Sequence, residues 1–193
     1  MDAETPTKTY PNGVNLDNIN GLVGAIKADA ALADVKFFAR SEWQGGTKSE
    51  VTVDKVHANG SNLSGPERSF TIMVDEPAYL GGGDSAANPM ELLAAGLCGC
   101  LTAGIATNAA LFGTELERLA VEVTLDIDVH GVLGLNKTAQ NGAIGLHYKV
   151  IMKGKDGADV AAMTRTKETI DRKSPVRNTL ELPLKVTTEV VVE

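Results

Sequence analysis

The chain has 193 residues, 43% hydrophobic and 22% charged, a composition that suits a globular domain with one sizeable core. Its net charge of -7 and pI near 5.0 exclude the basic footprint of a nucleic-acid binder or of a protein held on an anionic membrane. No positive n-region followed by an apolar h-region opens the chain, and two cysteines one residue apart form neither a disulfide framework nor a paired zinc motif. A reduced, cytoplasmic protein without a metal or other cofactor is expected.

Residues 1–14 are polar, carry Pro6, Pro11 and Gly13, and read as a loose terminus. Over 15–31, Leu16, Ile19, Leu22, Val23 and Ile26 recur at helical spacing and predict an amphipathic helix. Segments 35–40, 48–57 and 68–75 are predicted strands, separated by Gly45-Gly46 and by the turn-forming run ANGSNLSGP. The loop GGGDSAANP, 81–89, lacks phosphate-loop spacing and any Gly-Lys-Ser, and reads as a flexible hinge. Asn88, Pro89 and Glu91 mark a helix start as cap, first position and third position of a capping box, and Gly113 is the natural stop.

Residues 119–130 then alternate. Leu119, Val121, Val123, Leu125, Ile127 and Val129 face a core, while Glu122, Thr124, Asp126, Asp128 and His130 face away. Asp126, Asp128 and His130 share a face, but an open strand spreads them too widely to gather about a metal. A second strand over 143–153 comes next, then a helix over 159–173. Ser174-Pro175 interrupts that helix, a short helical turn succeeds it, and 184–192 closes the chain as a strand. Strands grouped on either side of helices make the fold α+β, in one domain.

The helix over 89–112 holds both cysteines, Cys98 and Cys100, and no charged residue from Leu92 to Phe112. A membrane span, an inert core helix and a helix burying a reactive thiol all suit such a run. Its Ala, Gly and Thr content, Asn108, and flanking Glu91 and Glu115 without basic anchors favour a buried helix of a soluble protein. At roughly 100° per residue the two sulfurs point about 200° apart, so they cannot pair without unwinding the helix and must have different jobs.

Gly96, Cys100 and Gly104 form a small-residue stripe at a spacing of four. Glycine inside a helix costs roughly 1 kcal/mol against alanine, so a close neighbour is expected there, such as a helix across a subunit interface. Inert packing is the plain alternative for either thiol, and a reactive one needs a cation that periodicity does not identify. His57, His130 and His147 read as strand or turn residues, which leaves an acyl hydrolase without partners for its nucleophile.

Asn88-Pro89-x-Glu91-Leu92, the Ala/Gly-rich run and Cys100 resemble the central helix of the OsmC/Ohr family, and the likeness extends through Ser174-Pro175-Val176 to the end of the chain. It covers residues 47–193 as an OsmC-like domain and leaves 1–46, with its helix, as an N-terminal extension. The resemblance implies an intertwined α+β homodimer, one central buried helix per subunit packed against antiparallel sheets, with active sites at the subunit interface. It implies a thiol peroxidase that reduces organic hydroperoxides in oxidative-stress defence through a sulfenic acid, a resolving cysteine and an external thiol reductant.

Carried over, the nucleophile falls on Cys100, and Cys98 is a possible second thiol. Ser174 occupies the place of the resolving cysteine and Met90 that of the family's catalytic Glu, with Glu91 as the neighbouring acid. The assisting Arg has no match in His57-Ala-Asn-Gly60, which leaves Arg68 or Arg40 as substitutes. These departures open an alternative: a catalytically degenerate relative that binds a small apolar molecule at the dimer interface. Neither reading involves nucleic acid or a membrane.

Overall fold

Asn15 opens the first helix by accepting the Asn18 amide on its side chain at 3.0 Å, and α1 runs over Leu16–Ala28. The computed structural model describes residues 10–192. They fall into two compact units, one over 15–93 and the other over 10–14 with 94–192.

In the 15–93 unit, six strands come after α1: β1 Val35–Phe37, β2 Arg40–Trp43, β3 Ser49–Val53, β4 Val56–Ala58, β5 Ser61–Asn62 and β6 Phe70–Val74. They form two antiparallel three-stranded sheets, ordered β1-β4-β5 and β2-β3-β6. The expected strand over 35–40 breaks at Phe38-Ala39, and that over 48–57 breaks at Asp54-Lys55, so each contributes to both sheets. Arg40 donates to Asp54 at the second break, and this hydrogen bond holds the Asp54 carboxyl below its ordinary pKa. Asn59 and Gly60, at φ 47° and 75°, make the two-residue turn that pairs Ala58 with Ser61.

The loop read as a flexible hinge is pinned instead. Asp75, 1% exposed, accepts from Thr47 Oγ1 (2.6 Å), the Glu76 amide (2.9 Å), the Gly83 and Ser85 amides (both 3.1 Å) and Ser85 Oγ (2.7 Å). Donors converging on the charged form, Thr47 and Ser85 first, hold the Asp75 pKa far below the ordinary carboxylate range. A glycine-rich composition signals freedom, but it does not reveal an anchoring carboxylate six residues before the loop.

The long helix α2, Pro89–Leu111, begins in this unit and continues into the other. Its capping box is complete: the Asn88 amide donates to Glu91 Oε2 and the Glu91 amide to Asn88 Oδ1, both at 2.8 Å. Gly113 ends it at φ 70°, with Thr114 N donating to Ala109 O (2.8 Å) and Gly113 N to Ala110 O (3.2 Å). That is the Schellman pattern, which satisfies carbonyls the helix leaves open. Among the described residues α2 is the one helix long and apolar enough to cross a membrane, a test that core helices also pass.

In the second unit, β7 (Leu116–Ile127) and β8 (Ala143–Gly154) form a long antiparallel hairpin, with the helical turn α3 (Val129–Val132) in its connection. Leu119, Val121 and Val123 pair with Met152, Val150 and Tyr148, and this face packs against Leu97, Leu101, Ile105 and Ile170. The predicted alternation fails at its end. A register shift at Asp126/Ile127 leaves Ile127 exposed, and Asp128 caps α3 through the His130 amide (3.0 Å), so His130 sits in a helical turn. No group of residues suited to a metal occurs among the described residues.

Helices α4 (Val160–Lys173) and α5 (Pro175–Glu181) complete the unit. The buried residues of α4 are Ala162, Thr166 and Ile170, and Ser174 at its C-cap extends the same spacing of four. Residues 10–14, expected to be loose, form a turn anchored by Asn12. Its Nδ2 donates to Thr114 O, and its Oδ1 accepts the Leu116 amide, both at 2.9 Å. The rest of that expected loose terminus, 1–9, lies outside the described residues.

No strand forms over 184–192, contrary to the sequence reading. Its alternating Leu and Val suit a sheet, but no strand of this chain pairs with it among the described residues, and Val186 to Val192 are exposed.

Candidate functional site

The two thiols of α2 have different neighbours, as their angular separation requires. Cys98 Sγ donates to the Val121 carbonyl of β7 at 3.6 Å. Cys100 Sγ lies 3.1 Å from Ser174 Oγ, across a gap of 74 residues in sequence. Both cysteines are half-buried and unpaired, and Ser174 is 0% exposed.

The meeting of Cys100 and Ser174 arises from helix register. Cys100 and Gly104 lie one turn apart on α2, and Ile170 and Ser174 one turn apart at the end of α4. A Cβ at Gly104 would stand 2.1 Å from Ile170 Cδ1, so the bare glycine lets Ile170 approach while Ser174 meets the sulfur one turn away. At Gly104 the close neighbour expected along the small-residue stripe is therefore a helix of the same chain. A Cβ at Gly96 would meet nothing within 4 Å beyond its own helix among the described residues.

Ser174 serves two helices. Its amide donates to Ile170 O (2.8 Å) and closes α4, and its Oγ accepts the Arg177 amide (3.2 Å) and caps α5. Pro175 at the first position of α5 lacks the N–H that would go unsatisfied there. The break at Ser174-Pro175 thus builds a corner on which Cys100 rests.

Around that corner lies a polar cluster that sequence reading missed. Tyr148 Oη donates to Asp171 Oδ1 and Lys167 Nζ to Asp171 Oδ2, both at 2.6 Å. Arg177 donates to Asp171 O (2.5 Å) and pairs with Glu181 (2.7 Å). Burial, and then the Asp171 carboxylate, push the Tyr148 pKa upward, so this phenol stays protonated. Two signals were present in the sequence: Lys167 and Asp171 four apart, and Arg177 three residues after a Ser-Pro cap.

The other expected site residues have separate surroundings. Glu91 sits in the capping box, nine positions before Cys100 on the same helix, and Met90 is half-buried in its first turn. Arg68 belongs to the 15–93 unit, where its guanidinium lies 5.0 Å from the centre of the Phe70 ring. Its Nη1 is buried and has no partner among the described residues. Arg40 is committed to Asp54, the His57 ring lies tilted against Phe38 with centroids 4.9 Å apart, and His147 is exposed.

A half-buried thiol on a long apolar helix, set against a buried serine and backed by an antiparallel hairpin, defines an α+β protein with a thiol site. The sequence pattern of the OsmC-like protein family matches residues 81–189, and the chain belongs to that family. Solved structures agree on the fold. An OsmC-like protein of Mycoplasma pneumoniae superposes with a TM-score of 0.52 at 15% identity, covering 77% of this chain and 87% of that one. An OsmC-like protein of unknown function from Vibrio cholerae gives 0.51 at 11%, covering 76% and 94%. A candidate osmotic stress induced and detoxification response protein of Psychrobacter arcticus gives 0.51 at 16%, covering 73% and 85%. No curated protein matches the chain.

Proposed function

We propose that this protein is a cytoplasmic thiol peroxidase in which Cys100 reduces organic hydroperoxides at the expense of a thiol reductant. The observation that carries the reading is the Cys100–Ser174 contact: of two neighbouring cysteines, one rests on a main-chain carbonyl and the other on a buried side-chain hydroxyl. The thiolate attacks one oxygen of the hydroperoxide, the O–O bond breaks, the alcohol leaves with a proton, and the sulfur becomes a sulfenic acid. Arg68 is the assisting cation that the resemblance suggests for this reading. Met90 occupies the position of the family's acid, so Glu91, the neighbouring acid, stands in for it, although its carboxylate is already engaged as a cap.

The test is consumption of cumene hydroperoxide with a thiol reductant by wild type, Cys98→Ser and Cys100→Ser. Wild type and Cys98→Ser should turn over, and Cys100→Ser should fall to the rate of buffer, a loss of at least about a hundredfold. A wild type no faster than buffer overturns the reading. It would favour the second one, an apolar-molecule binder, which the half-buried Met90 at the acid's position supports.

We further propose a homodimer. Phe37 and Trp43 are each 77% exposed, and the β-prone tail over 184–192 pairs with no strand among the described residues. Sedimentation velocity should give twice the chain mass of 20.2 kDa, and a species of single-chain mass would refute the assembly.

A further inference from the structure

Every polar group of Ser174 but one has a partner in its own two helices. Its amide donates to Ile170 O, its carbonyl accepts the Asn178 amide (3.0 Å), and its Oγ accepts the Arg177 amide. The remaining group is the hydroxyl hydrogen. Among the described residues, the atom within hydrogen-bond reach of it is Cys100 Sγ at 3.1 Å, and while the thiol is neutral either group can donate. A thiolate accepts and cannot donate, so once Cys100 ionises only the serine can supply the proton of this bond.

We propose that Ser174 is a positioning residue for Cys100: its hydroxyl donates to the Cys100 thiolate and holds the sulfur at the α4–α5 corner. The inference rests on the reading of Cys100 as the reacting thiol. A hydrogen bond donated to a charged acceptor is stronger than one donated to a neutral acceptor.

The same residue decides the fate of the oxidised sulfur. An alcohol cannot close a disulfide, and Cys98 points to the other side of α2, so no second thiol of the chain is in reach. The sulfenic acid therefore condenses with a low-molecular-weight thiol, releasing water and forming a mixed disulfide. A second molecule of that thiol attacks the mixed disulfide, returns Cys100 as a thiol and leaves as the small-molecule disulfide. Two thiols are oxidised for each hydroperoxide reduced.

The experiment is the pH profile of iodoacetamide alkylation at Cys100, in a Cys98→Ser background, for Ser174, Ser174→Ala and Ser174→Thr. Ser174→Ala should move the midpoint to higher pH and slow alkylation at neutral pH about tenfold, the effect of losing one hydrogen bond to a charged group. Ser174→Thr keeps the hydroxyl and should keep the midpoint. A Ser174→Ala profile that superimposes on the parent overturns the proposal.

Loss of the α5 cap alone would loosen the corner and speed alkylation at every pH without moving the midpoint, which also overturns it. If the alanine variant does not fold, Ser174→Gly replaces it, since glycine is a better helix cap than alanine and has no hydroxyl. Peroxide consumption is read on the same samples. A shifted midpoint with inert peroxide removes the peroxidase reading alone, and brisk consumption with an unmoved midpoint removes the role of Ser174 alone.

Discussion

Gly104→Ala is expected to lower the thermal midpoint by roughly 2–8 °C, although alanine is the better helix former. In a solvated helix the change would add up to about 1 kcal/mol through propensity. Here the new methyl would stand 2.1 Å from Ile170 Cδ1 and 2.5 Å from Cγ1, far inside van der Waals contact. Ile170 is only 6% exposed and belongs to the core cluster with Leu97, Leu101 and Ile105, so moving it means repacking that core. Overpacking of this kind costs about 1–3 kcal/mol, which outweighs the propensity gain. Thermal unfolding monitored by circular dichroism gives the answer. Ile170→Val removes the atom at 2.1 Å, so the double variant should lose less than the sum of the two single changes. Equal midpoints for Gly104→Ala and the parent would mean that α2 and α4 do not meet at this register.

The second large effect is chemical. Ser174→Cys places a sulfur where an oxygen now stands 3.1 Å from Cys100 Sγ. A disulfide needs the sulfurs at about 2.0 Å, a closure of roughly 1 Å that side-chain rotation can supply. With one equivalent of an organic hydroperoxide, the three thiols of the variant should fall to one. Peptide mapping should join residues 100 and 174 and leave Cys98 free. Closing a loop over 74 positions should stabilise the oxidised variant by about 4 kcal/mol, before any strain and the weakened α5 cap are subtracted. The wild type should show no such link. A Cys98–Cys100 bridge in the variant would disprove the opposed faces of α2, and three surviving thiols would disprove the proximity of 100 and 174.

Local signals carried much of this fold. The alternation from Leu119 to Leu125 is a hairpin face, the Asn88–Glu91 spacing is a working capping box, and Gly113 stops the helix where it was read to stop. Each of these needs only residues a few positions apart. The illegible features depend on partners brought from far along the chain. The strand breaks at Phe38-Ala39 and Asp54-Lys55 reflect a change of sheet, which no period of two reveals. Asp75 tames a glycine loop through a carboxylate that lies outside it.

At the site, the small-residue stripe correctly announced a close approach at Gly104, but spacing could not say that Ile170 was the visitor. Ser174 came into view through family resemblance alone, because no local pattern links two residues 74 positions apart. Tyr148, Asp171 and Arg177 went unread for the same reason: they lie on three elements and meet only after folding.

The tail over 184–192 also governs how the protein can be handled. It is rich in β-branched residues, contains no proline, and pairs with no strand among the described residues. Such a stretch is a template for stacking like segments into fibrils, and concentration or heating favours that route. Lys185 and Glu189 are the two charges within it that oppose stacking, and opposite charges can align when neighbouring copies run antiparallel. Solubility is therefore sensitive to this tail, where one added charge on the valine run would oppose stacking.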